Sequence, residues 1–110
     1  MVVNMHVGII GTKYLMESLS ATGHSDIALQ LAENTDYPSW GYMIRNTIEP
    51  ATTLWELWDS PAEGPGMNSR NHIMFGSVGN WFYKSLGGIL QTETSIGFNE
   101  IVIDPFIVCY

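Results

Sequence analysis

The stretch TKYLMESLSATGHSDIALQLAEN, Thr12 to Asn34, decides how the chain is read. Leu15, Met16 and Leu19 recur at helical spacing, Thr12 is placed to cap the helix, and Gly23 suits a left-handed stop. Ser25 or Asp26 can cap a second helix, whose apolar face is Ile27, Leu31 and Ala28. Two helices joined by so few residues form an antiparallel hairpin.

Outward from that hairpin the pattern changes. Residues 35–67 have loop composition: NTDYPSWGYM holds Pro38 and Gly41, and DSPAEGPGM holds Pro61, Gly64, Pro65 and Gly66. Between them TTLWELW reads as a helical turn or a short extended piece. A long irregular region inside a domain is uncommon unless it carries function. Residues 68–90 predict one long helix with a stripe of Met74, Val78, Trp81, Phe82 and Ile89. Gly76 and Gly79 lower helix propensity there and ask for the close approach of another backbone. NEIVIDPFIVCY is rich in β-branched residues, which predicts strand at Ile101–Ile103 and again at Ile107–Val108. The change from helices to strands puts a division near residues 92–97. A lone terminal strand needs a sheet that the rest of the chain hardly supplies. The expectation is a fragment of a larger domain, or an obligate partner of another chain.

Composition excludes several classes. The chain has 110 residues, room for one domain, with 45% hydrophobic and 14% charged residues, so it is not a disordered polymer. Net charge is −7 with only four basic residues, which argues against nucleic acid and anionic membranes as partners. The single cysteine, Cys109, allows no intrachain disulfide and no thiolate metal site. His6, His24 and His72 show no metal-ligand spacing, and no cofactor motif is present. No run is long or apolar enough to span a membrane.

The chemical interest lies in TTLWELWDS, Thr52 to Ser60, where Glu56 stands between Trp55 and Trp58. Indoles on both sides would strip water from a carboxylate that acts in proton transfer. The plainer reading is a surface glutamate accepting an indole N–H, and the residues alone favour it. His72, in MNSRNHIMFG, stands near a helix start, where a neutral imidazole could donate to a hydroxyl. A structural histidine bonding a loop carbonyl is the competing reading. Asn68, Ser69 and Asn71 read as caps. Trp40 and Tyr42, in YPSWGYM, either pack in the core or present an aromatic face to a ligand.

Four segments in order, GIIGTKYLMESLSATGHSDIALQLAENTDYPSWGYMI, ATTLWELWD, GMNSRNHIMFGSVGNWFYKSLGGI and GFNEIVIDP, closely resemble the α-L-rhamnosidases of glycoside hydrolase family 78. The resemblance runs from about Val7 to Pro105. It implies a mainly α fold, a fragment of an (α/α)6 six-hairpin toroid over residues 1–91. Residues 92–110 would begin a C-terminal β-sandwich. It also implies inverting removal of terminal α-L-rhamnose from glycosides, which needs two carboxyl groups about 6.5–9.5 Å apart. By the same resemblance the general base is Glu56, His72 binds the sugar, and Trp40, Trp55 and Trp58 are candidates for the pocket wall. The family's general acid lies upstream of the matched segment and has no counterpart here. Glu49 and Pro50 stand where a shorter, glycine-containing approach is expected. The chain alone is therefore expected to lack hydrolase activity, its partner being the rest of the catalytic domain or another chain. A non-catalytic carbohydrate-binding remnant and a helical interaction module are the alternatives.

Overall fold

Helix α1 spans Ile9–Ala21 and so starts ahead of the expected cap. Ile9 and Ile10 extend the helix backwards, and Gly8 takes the N-cap position. Thr12 lies inside the first turn, where its amide and its hydroxyl both donate to the Gly8 carbonyl, at 3.0 and 2.9 Å. A threonine that bonds back by four residues is satisfied without capping anything, which is why its type misleads. The predicted stop is present. Gly23 has φ +82°, its N–H donates to Ser20 O, and the His24 N–H donates to Leu19 O at 2.7 Å. Those two bonds close the end of α1 through a left-handed residue.

Helix α2, Ser25–Glu33, follows at once. Neither Ser25 nor Asp26 is its cap: Ser25 is the first helical residue and its hydroxyl donates to Ser20 Oγ at 3.0 Å. The buried face is Ala28, Leu29 and Leu31, with Ile27 half-buried at its border. It packs on α1 through Met16, with Leu15 and Leu19 beside it.

The structure is a computed structural model and describes residues 3–64, 66 and 68–108. Pro65, Met67 and Cys109 lie outside them. The expected irregular region contains a short helix, α3, Trp40–Arg45, entered through a cis Tyr37–Pro38 bond. Ser39 caps it: its fully buried hydroxyl accepts the Tyr42 N–H at 2.9 Å, a bond of a kind worth about 1 kcal/mol. Gly41 lies on α3 where a Cβ would run into Asn34 O and sit 2.9 Å from Thr35 Cα. The close backbone approach that a glycine signals is therefore here. At Gly79 a Cβ would meet nothing within 4 Å, and at Gly76 only a Leu54 methyl at 3.1 Å.

The long helix over 68–90 is not present as one element. Residues 68–72 are non-helical, then a 3-10 turn, Ile73–Gly76, leads into helix α4, Ser77–Trp81, and a π-helical turn, Phe82–Leu86. Each change of pitch rotates the side chains, so the stripe drawn at a constant 3.6 period fails. Phe75 and Trp81 enter the core, while Met74 and Phe82 are 37% and 43% exposed. Gly88, at φ +63°, ends the run with its α-carbon against the Asp104 carbonyl.

Ile89 then belongs to a strand. β1, Ile89–Gln91, pairs antiparallel with β2, Ile101–Ile103, in the register Ile89 with Ile103 and Gln91 with Ile101. The predicted strand at 101–103 is therefore present but not alone, and Ile107–Val108 are outside any strand. The described chain is mainly helical with this one two-stranded sheet. The core gathers Met5, Met16, Ala28, Leu31, Trp40, Met43, Trp55, Trp58, Phe75 and Trp81. The extents of the structure are 48 × 34 × 20 Å, and 20 Å is about two helix diameters.

Candidate functional site

Glu56 lies on a segment with no regular secondary structure, held by a short antiparallel ladder. The Glu56 N–H donates to Ser69 O at 2.8 Å, and the His72 N–H donates to Leu54 O at 2.7 Å. Segments 53–56 and 69–72 thus run side by side and carry Glu56 and His72 on one ladder. The Ser69 N–H in turn donates to Glu56 Oε2 at 2.7 Å. The carboxylate is oriented by a peptide group, and no indole N–H bonds it among the described residues. Trp58 Nε1 donates instead to Val7 O at 2.8 Å, and Trp40 Nε1 to Phe75 O at 3.1 Å.

The same ladder is braced at its outer edge. The Thr53 hydroxyl donates to the Arg70 carbonyl, and the Arg70 guanidinium pairs with Glu49. Both charged side chains are well exposed, so this pair adds little stability.

His72 is half-buried in an extended conformation just before the 3-10 turn. Its Nδ1 accepts the Met74 N–H over a long 3.5 Å. In the neutral ring this leaves Nε2 as the hydrogen-bond donor. The histidine is thus the cap itself, and Asn68, Ser69 and Asn71 cap no helix. Ser69 Oγ accepts the Asn71 N–H at 3.1 Å in a local turn, and Asn68 Oδ1 is buried without a partner among the described residues.

The three tryptophans lie in the core beneath the ladder, Trp55 at 1% exposure and Trp40 and Trp58 at 8%. Trp58 packs on Phe75 at a tilt of 32° with centroids 3.8 Å apart and meets Trp40 edge-on at 5.4 Å. Such pairs add about 0.5–1.5 kcal/mol beyond their burial. Trp40 also borders a cavity of about 220 Å³ with Met43, Ile44 and residues 51–54. A larger cavity, about 490 Å³, is lined by Glu17, Lys84, Asp104 and Phe106 and contains none of these candidates.

Tyr42 and Asp59 form a pair that their positions in the sequence do not announce. The Tyr42 hydroxyl donates to Asp59 Oδ1 at 2.8 Å, and Tyr37 meets the Tyr42 ring edge-on at 5.1 Å. The bond to Asp59 raises the Tyr42 pKa above its ordinary value, and partial burial and the aspartate's charge add to the shift. The legible part of this signal is an aspartate directly after an LWELW run.

Comparison with known proteins gives one consistent answer. Residues 2–86 match the sequence model of the bacterial alpha-L-rhamnosidase 6 hairpin glycosidase domain. An α-L-rhamnosidase of Streptomyces avermitilis is 41% identical over 107 residues, covering 93% of this chain and 10% of that protein. One from Formosa agariphila is 37% identical over 107 residues, covering 93% of this chain and 11% of its own length. Among solved structures, the S. avermitilis α-L-rhamnosidase complexed with L-rhamnose superposes with TM-score 0.79 at 39% identity, over 94% of this chain and 10% of that one. The α-L-rhamnosidase of Dictyoglumus thermophilum gives TM-score 0.78 at 41% identity, over 94% of this chain and 11% of that one. The chain therefore spans about a tenth of the length of the relatives it matches.

Proposed function

This chain belongs to the bacterial α-L-rhamnosidase six-hairpin glycosidase family, and on that premise we propose that it is part of a glycoside hydrolase that removes terminal α-L-rhamnose. In this reading the reaction inverts the anomeric centre. Glu56 is the general base that takes a proton from the attacking water, and the acid that protonates the leaving oxygen comes from outside the chain. His72 donates from Nε2 to a sugar hydroxyl, and Trp40, Trp55 and Trp58 support the pocket wall from the core, Trp40 also bordering a 220 Å³ cavity that neither Glu56 nor His72 lines. Residues 1–91 belong to the toroid and the residues from 92 onward begin the following β-sandwich. The family match ends at residue 86, just before β1. One carboxylate cannot do both halves of inverting chemistry, so the chain is inactive until the rest of the domain completes the pocket.

The observation that carries this reading is the bond from the Ser69 N–H to Glu56 Oε2 on the ladder that also holds His72. A base must present one oxygen to water in a fixed direction, and fixing the other oxygen on a peptide N–H does that.

The test is a graft. The whole 110-residue chain replaces the matching segment of the S. avermitilis α-L-rhamnosidase, and release of rhamnose from an aryl rhamnoside is followed. The graft is expected to be active, and Glu56→Gln to lower kcat roughly 10²–10⁴-fold. A folded graft in which Glu56→Gln keeps full activity would remove Glu56 from the mechanism and favour the binding-remnant reading.

A further inference from the structure

The segment that carries Glu56 has little regular structure of its own, so its position is set by the ladder to residues 69–72 and by whatever grips its ends. Two neighbouring residues of α3 do this. At the upstream end, the Ala51 N–H donates to Met43 O at 2.9 Å. At the downstream end, Asp59 accepts the Tyr42 hydroxyl at 2.8 Å. Residues 51–59 therefore arch over α3 from Met43 to Tyr42, with Glu56 inside the span. Helix α3 is itself fixed: Ser39 caps it from a fully buried site, Met43 is buried, and Trp40 is bonded to the Phe75 carbonyl. The upstream grip is backbone to backbone. The downstream grip is the one bond of this arch that two side chains make, among the described residues.

We propose that Tyr42 and Asp59 form a positioning clamp that sets where the Glu56 carboxylate stands relative to a bound glycoside. Neither residue needs to touch the sugar. Asp59 supplies an acceptor and Tyr42 a donor on a rigid support, and together they keep the arch from sliding along α3. Trp58, bonded to Val7 O, anchors the arch to the segment before α1, so loss of the clamp loosens the arch without unfolding it. The chemistry asks only for an acceptor at position 59, and an asparagine oxygen supplies one. This inference rests on the reading of Glu56 as the base.

The experiment uses the active graft and four variants: Tyr42→Phe, Asp59→Ala, Asp59→Asn and the Tyr42→Phe/Asp59→Ala double. A misplacement of an ångström or so costs roughly ten- to a hundred-fold in rate. Tyr42→Phe and Asp59→Ala are each expected to lower kcat by about that much with KM changed less than threefold. Asp59→Asn should recover most of the rate, and the double variant should be no slower than either single one, as for two halves of one bond. Hydrogen exchange should rise in peptides covering residues 51–60 and 68–74 and stay unchanged in α1 and α2. A general structural role would loosen α1 and α2 as well, and would not be rescued by asparagine. Unchanged kcat with unchanged exchange at residues 51–60 overturns the clamp, and so does additivity of the two single effects. If Glu56→Gln is inactive while Tyr42→Phe is not impaired, the clamp fails and Glu56 stands as the base. If Glu56→Gln is active, the base assignment fails, and the local exchange still decides whether the clamp holds the arch.

Discussion

At the scale of the residue, the site depends on groups that keep specific partners. Tyr42 gives this a pH signature. Its pKa is raised, first by the bond to Asp59, then by burial and by the charges of Asp59 and Tyr37, while Asn46 acts the other way. In the unfolded chain a tyrosine titrates near 10. Above that pH the folded arch holds a proton that the opened arch has lost. The contribution is therefore complete below pH 10 and is lost as pH rises through the higher folded value. The expected outcome is that exchange of residues 51–60 in the graft accelerates above about pH 10 relative to the Tyr42→Phe protein at the same pH. Parallel behaviour of the two proteins would mean that Tyr42 titrates freely. Nothing in the sequence pairs Tyr42 with Asp59, because the bond crosses from a helix to a loop whose path is set by tertiary packing. Glu56 is singled out by its two indole neighbours, but those neighbours alone favour a surface glutamate, and its role as base rests on the family resemblance.

At the scale of the element, the hairpin was readable and the second half of the chain was not. Gly23 is decisive whatever surrounds it, and local chemistry alone ends α1 there. The stretch 73–86 obeys no single period, because it runs through three successive pitches, the first two packed against α1 and the third against β1. Periodicity therefore assigned Met74, Phe82 and Ile89 to a face that does not exist, and missed Phe75. Gly41 belongs to this scale too. Glycine to alanine in a helix normally gains up to about 1 kcal/mol. Here the new methyl strikes the Asn34 carbonyl at the end of α2, so Gly41→Ala should destabilise the graft, by roughly 1–3 kcal/mol of overpacking. Chemical denaturation followed by tryptophan fluorescence measures it, and a stabilised Gly41→Ala protein would show that α3 is free to move away from α2.

At the scale of the whole molecule, thickness is the informative quantity. A radius of gyration of 15.7 Å exceeds the roughly 13 Å of a compact domain of about this length. Two helix diameters of depth leave most elements with neighbours on one side only. Ile10 and Tyr14 on α1, Ile44 on α3, and Ile73 and Tyr83 along the helical run are each more than 60% exposed. Exposed apolar side chains on several elements at once suit burial against another surface. By itself the chain is expected to self-associate, with an average mass in sedimentation equilibrium that rises with concentration. Replacing Ile10, Ile44 and Ile73 together by Gln should lower that mass without loss of helical circular dichroism. A monomeric chain with a cooperative thermal transition would contradict this. That the chain falls short of a closed domain was visible in the sequence as helices without enough partners. Which faces stay open was not, since it depends on how the elements pack on one another.

The donor that orients Glu56 is a peptide group, and this has a consequence for inheritance. A side-chain partner can be deleted by many codon changes, whereas the N–H of residue 69 survives every substitution except proline. Position 69 is thus free to drift, since among the described residues its own hydroxyl serves only a local turn with Asn71. A lineage could exchange Ser69 for almost any residue and pass on the aim of its glutamate unchanged.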